Sequence, residues 1–130
     1  MKIRYYKPLV TTGNVKCTVH KNGKLGFSRQ AIKKLDINEM SYAKIGFNAE
    51  NDNDKDLYIR IQDHKDEETF KINKAGDYYY VNTKYLFDDL NIDYIRKKVI
   101  FDIKELEENG DSLYKLNKRE LERTRSKSGK

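Results

Sequence analysis

The chain of 130 residues has one cysteine, one proline, two histidines and no tryptophan. A lone Cys17 excludes an internal disulfide framework and any zinc site built from several thiolates. His20 and His64 are far apart in sequence and read as surface polar residues, so no metal is expected. No apolar run approaches the roughly 18 residues a membrane helix needs, and the N-terminus lacks a signal-peptide pattern. A cytoplasmic protein with no membrane partner is the expectation. No glycine-rich phosphate cradle is present. Ser28 has no histidine partner nearby, and the acids of 50–56 and 64–68 fall in apparent loops rather than in the partly buried pairs that acid–base chemistry requires. Asp52-Asn53-Asp54 opens like a calcium loop but lacks the following glycine and the distal glutamate. These absences point away from an enzyme and from any cofactor.

What is present is charge and tyrosine. Hydrophobic and charged residues each make up 37%, and ten Tyr with five Phe supply large apolar areas for a core. The net charge is +6, and from Lys118 onward six Lys or Arg stand against two Glu, so about +4 of it lies in the last 13 residues. Such a stretch reads as a flexible basic tail suited to non-specific attraction to phosphates. Residues 1–117 are expected to form one pseudo-symmetric domain and 118–130 the tail.

The same unit occurs twice. Lys21-Asn22-Gly23 is echoed by Lys74-Ala75-Gly76, Leu35-Asp36-Ile37 by Leu90-Asn91-Ile92, and Leu57-Tyr58 by Leu113-Tyr114, at an offset that drifts between 53 and 56 residues. In the first copy, about 15–62, Val15, Cys17 and Val19 alternate with Lys16, Thr18 and His20 as in a half-buried strand. Asn22-Gly23 signals a two-residue hairpin turn, and Leu25 and Phe27 continue on the return. Ser28 occupies an N-cap position before the stripe Ala31, Ile32, Leu35. Ala43, Ile45 and Phe47, then Leu57, Ile59 and Ile61, supply a second hairpin. The second copy, about 69–117, repeats this with Phe70 and Ile72, then Tyr78 and Tyr80 in the places of Leu25 and Phe27. A helix capped by Asn82 or Thr83 follows, then strands around Val99-Phe101-Ile103 and Leu113–Leu116. In the arm before the first copy, which holds Pro8, Tyr5-Tyr6 are expected to pack over a sheet edge. Each copy reads ββαββ, and the expected fold class is α+β: two antiparallel sheets, each with one packed helix.

With the aliphatic residues inward, the opposite face presents Tyr42, Lys44, Tyr58, Arg60 and Tyr79. Tyrosines interleaved with cations are the composition of a single-strand platform, on which bases stack while Lys and Arg follow phosphates. An ordinary solvated face, or a subunit interface, has the same composition.

Gly23–Ile37 resembles the central motif of the bacterial transition-state regulator family, a swapped-hairpin, DNA-binding fold with a ββαββ unit in each of two chains. That resemblance implies a swapped-hairpin barrel imitated within one chain, with Lys24 and Lys33 at basic contact positions. Ser28 stands where that family has proline, Ile32 where it has a DNA-contacting arginine, and Asp77 faces the place of Lys24 in the second copy. From Ala43 to Leu90 the order of four strands and a helix is similar to the β4α repeat of the PUR and Whirly single-strand-binding families. That likeness implies repeats intertwined around curved sheets.

The functional expectation is a non-enzymatic protein binding single-stranded DNA or RNA. Tyr42, Tyr58 and Tyr79 would stack, Lys44 and Arg60 would contact phosphates, and Lys24, Lys33 and the tail would add attraction. The alternatives are a duplex-binding regulator of swapped-hairpin type, or a protein–protein interaction module, a homodimer included.

Overall fold

A computed structural model describes residues 1–5, 15–108 and 111–123. The elements run β1 (Lys16–Val19), β2 (Lys24–Phe27), α1 (Arg29–Lys34), β3 (Tyr42–Phe47), β4 (Leu57–Gln62), β5 (Thr69–Ala75), β6 (Tyr78–Asn82), α2 (Lys84–Asp89), β7 (Lys97–Glu108) and β8 (Asp111–Glu122). The strands close in the order β1-β2-β6-β5-β3-β4-β8-β7, with β7 returning to β1.

This closure overturns the α+β expectation of two sheets, each covered by a helix. Alternation assigned an inner side to each strand correctly in most places, but all inner sides point into one shared interior. Cys17, Val19, Leu25, Ile59, Ile72, Val81, Val99, Phe101 and Leu116 all lie there, fully buried. The helices are six residues each and too short to cover a sheet. Each contributes one buried side chain, Ala31 or Phe87, and the Phe87 ring stacks on Phe101 with centroids 6.0 Å apart.

Exchanging every strand with the one four places along the chain returns the same pairing scheme. β1 pairs with β7 as β5 pairs with β3, while β2–β6 and β4–β8 each map onto themselves. Each half therefore lends its second hairpin to the other, and the four strands from Ala43 to α2 lie in space as β4-β3-β5-β6.

The repeated signatures have local causes. Ser28 Oγ accepts from the Ala31 N–H at 3.1 Å and from the Lys16 N–H at 3.2 Å, capping α1 and tying it to β1. Thr83 precedes α2 without a side-chain cap; its buried hydroxyl instead donates to the Gly23 carbonyl at 2.9 Å, joining the halves. Asp36 and Asn91, in the two Leu-Asp/Asn-Ile motifs, are the positive-φ residues that end the helices. The N–H groups of Ile37 and Ile92 then close back onto Ile32 and Phe87.

Two expected correspondences slip by one residue. Gly23 and Gly76 both adopt positive φ, but the first hairpin reverses through Lys21-Asn22-Gly23 and the second through Gly76-Asp77 alone. The reversal at Asn22-Gly23 is thus longer than the expected two-residue turn. Tyr78 takes the place of Lys24, and Tyr79 that of Leu25. Likewise Ile59 and Ile61 match Tyr114 and Leu116, because β3–β4 pairs Ala43 with Ile61 as β7–β8 pairs Ile103 with Leu116.

β8 continues to Glu122, past the boundary expected at residue 117, so Lys118 and Arg119 belong to the barrel. Tyr5 is 83% exposed, so it does not pack over an edge as expected. Pro8 and Tyr6 in the arm, the 109–110 turn and the tail from 124 lie outside the described residues. Cys17 is a buried core thiol, and burial pushes its pKa far up, which keeps it inert. Among the described residues no helix is long and apolar enough to cross a membrane.

Candidate nucleic-acid interface

Two grooves of similar size cross the outside of the barrel. The first lies over β3 and β4 and holds Lys44, Tyr58 and Arg60 of the expected platform. Antiparallel pairing sets Lys44 opposite Arg60, Tyr42 opposite Gln62 and Gly46 opposite Tyr58. Tyr42 and Tyr58 therefore flank the two cations, four residues apart along the ladder, or about 13 Å. A volume of about 990 Å³ opens here, lined by Lys44, Tyr58 and Arg60 together with Glu50, Glu68 and the apolar Phe47, Leu106 and Leu113.

The chain itself already engages these groups. Lys44 Nζ lies 2.9 Å from Asp66 and 3.6 Å from Glu68, and the hydrogen bond to Asp66 raises its pKa. Asp66 is held down to about 2, first by the Glu68 N–H and then by Lys44. The Tyr58 hydroxyl donates to Asp54, which raises the phenol's pKa, and Lys115 Nζ sits 5.9 Å from its ring centroid. Lys71 Nζ stands 4.8 Å from the Tyr42 ring centroid. A base stacking on either ring would have to displace a lysine.

Tyr79 leaves the site. It shares the parity of Val81, whose side chain is fully buried, and packs against the core, whereas Tyr78 is 54% exposed. The expectation that Tyr78 and Tyr80 face inward is corrected with it, and the cause is the shorter second hairpin. Lys24, on β2, lies with Nζ 4.7 Å from the Tyr80 ring centroid, and Lys33 is exposed on α1. Neither belongs to the β3/β4 ladder.

The second groove, about 980 Å³, is one that sequence reasoning missed. Its wall is drawn from β1 (Lys16, Thr18), the β1–β2 loop (His20, Lys21), the start of α1 (Arg29), the β5–β6 loop (Asp77), β7 (Lys98) and the residue after β8 (Arg123). Asp77 is the one acid among these lining residues. Among the described residues Lys16, Lys21, Arg29 and Lys98 make no ion pair. Asp102 does stand opposite Lys16, but Arg119 grips both of its oxygens.

Two polar atoms at this groove are buried without a hydrogen-bond partner among the described residues, His20 Nε2 and Arg123 Nε. Arg123 Nη2 donates to the Tyr94 carbonyl at 2.8 Å. The His20 ring lies on Gly26, where a Cβ would come within 2.6 Å of Nε2. Burial, and then the charge of Arg123, lower the His20 pKa. The sequence carried part of the signal, since Lys16, Thr18 and His20 alternate outward. The remaining cations come from segments that only barrel closure brings together.

Among the described residues no three His, Cys, Asp or Glu side chains converge where they could hold a metal ion. No protein-family model, curated protein or solved structure matches the chain.

Proposed function

We propose that this chain is a non-enzymatic nucleic-acid-binding protein that holds a single strand in the groove over β1 and β7. The observation carrying this reading is the set of Lys16, Lys21, Arg29 and Lys98, gathered in one groove with no ion pair among the described residues. Unneutralised cations in a concave track attract a phosphate backbone and release its counterions. Exposed Tyr78 on the groove wall gives a base a ring to stack on. A duplex is the less favoured ligand. Reading its major groove takes a projecting helix or ribbon, and both helices are six residues long. The longest ribbon, β7–β8, is acidic in sequence from Glu105 to Asp111. A cytoplasmic location belongs to the same reading, supported by a single reduced cysteine.

Fluorescence anisotropy with labelled oligothymidylate and a matched duplex, at two salt concentrations, tests it. Single strands should bind more tightly. Lys16→Ala with Lys98→Ala should lower the salt slope by about 1.4, at about 0.7 per lost contact on a single strand. No binding of either ligand at low salt would refute the proposal.

The β3/β4 groove favours a second reading. Phe47 is 56% exposed there beside Leu106 and Leu113, which suits a contact with a partner protein or a second copy. Sedimentation velocity of the wild type and of Phe47→Asp separates the two copies from one.

A further inference from the structure

We infer that the Arg123 end of this groove is a subsite for one phosphodiester group, and that its filling is coupled to a proton taken up by His20. The inference rests on the proposed function and names the place where that binding becomes pH-dependent.

A buried guanidinium Nε without an acceptor is costly, and an arginine beside a second nitrogen base rather than a carboxylate is an incomplete pair. Every other charged group of the groove wall except Asp77 is also cationic: Lys16 from β1, Lys21 from the loop, Arg29 from α1 and Lys98 from β7. An anion supplies the acceptor that the described residues lack.

His20 occupies a seat that exists because residue 26 has no side chain. Gly26 lies between Thr18 of β1 and Tyr80 of β6, and the imidazole fills the space above it. In that seat Nε2 meets backbone and has no acceptor. A neutral ring tolerates this by leaving Nε2 unprotonated. An imidazolium has an N–H on both nitrogens and cannot satisfy the buried one. Protonation therefore turns the ring off Gly26 toward the groove, where a phosphate beside Arg123 accepts its hydrogen bond and offsets the repulsion from Arg123. Proton and phosphate favour each other, as linkage requires. The same lattice position in the other half is filled covalently, since Tyr80 is the counterpart of Gly26 and Asn73 stands opposite it. The device is thus confined to one half of the barrel.

The test is affinity against pH for oligothymidylate without a terminal phosphate, a ligand that does not titrate between about pH 5 and about pH 8. Affinity should rise about tenfold as pH falls across that window, the equivalent of a one-unit rise in the His20 pKa on binding. His20→Gln should flatten the profile, while His64→Gln, remote from the groove, should leave it intact. Gly26→Ala fills the seat and should move the midpoint of the profile to higher pH. With only two histidines, both ring C2 protons can be followed by NMR in the wild type. The His20 titration should shift upward when oligothymidylate is added. Tight binding that is independent of pH, or a pH dependence that survives His20→Gln, overturns the inference and leaves the proposed function standing. Absence of binding at low salt and about pH 5 overturns both.

Discussion

The grooves over β3/β4 and over β1/β7 are nearly equal in volume, about 990 and 980 Å³, and both have Lys and Arg in their walls. They differ in where their acids lie. Over β3/β4 the 63–68 turn brings Asp66 and Glu68 within 4 Å of Lys44, and Asp54 takes the Tyr58 hydroxyl. Over β1/β7 Asp77 is the one lining acid, Asp102 opposite Lys16 is gripped by Arg119, and Lys16, Lys21, Arg29 and Lys98 form no ion pair among the described residues. A count of basic residues on a face therefore says little about its field. What matters is whether the folded chain has already neutralised them.

Charge reversal separates the two grooves most strongly. Lys16→Glu with Lys98→Glu should weaken oligonucleotide binding by about 100-fold at low salt, since two attractions become two repulsions. Lys44→Ala should change it by less than about twofold, because Asp66 and Glu68 already cancel that charge. Equal losses from both variants, measured by anisotropy, would erase the distinction between the grooves.

Acid titration also tells the grooves apart. Asp66 has its folded pKa depressed from 3.8 to about 2, so the stability it confers is complete above about 4 and is lost as pH falls toward 2. Urea midpoints of Asp66→Asn should lose that acid limb. His20 is also depressed, from 6.5, so the folded state binds its proton less readily than the unfolded state. Stability is therefore highest above about 6.5 and declines as pH falls through that region, a decline His20→Gln should remove. The grooves thus write two separate inflections into one pH–stability curve.

How much of this could be read beforehand follows from the range of each signal. The Ser28 cap, the positive-φ Gly23 and Gly76, and the inward Cys17, Val19, Leu25, Phe101 and Ile59 depend on neighbours a few residues away, and local pattern reveals them. Closure of the barrel does not have that property. Alternation says which side of β1 is inward but not that β7 lies beside it, a pairing of Cys17 with Phe101 across most of the chain. Tyr79 failed for an intermediate reason. In Tyr78-Tyr79-Tyr80 every position is aromatic, so parity depends wholly on the hairpin before it, and one loop residue turns the run over. The β1/β7 groove depended on closure and was beyond reach, although Lys16, Thr18 and His20 were correctly placed outside.

The smallest expected effect compares one substitution in both grooves. Gly46 on β3 has open space where a Cβ would go and does not adopt positive φ. Gly46→Ala should therefore stabilise by about 0.4–1 kcal/mol through the lost freedom of the unfolded chain. Gly26 has the same permissive backbone, but its Cβ would lie 2.6 Å from His20 Nε2. Gly26→Ala gains the same unfolded-state term and loses the packing of a displaced ring, so its net change should be smaller or of opposite sign. Thermal melts of the two alanine variants in the His20→Gln background and in the wild type separate these contributions. If the deficit of Gly26→Ala relative to Gly46→Ala persists when residue 20 is truncated further to alanine, then backbone strain rather than the imidazole seat sets the cost. The asymmetry between the two grooves would then lie in the strand and not in the ring that rests on it.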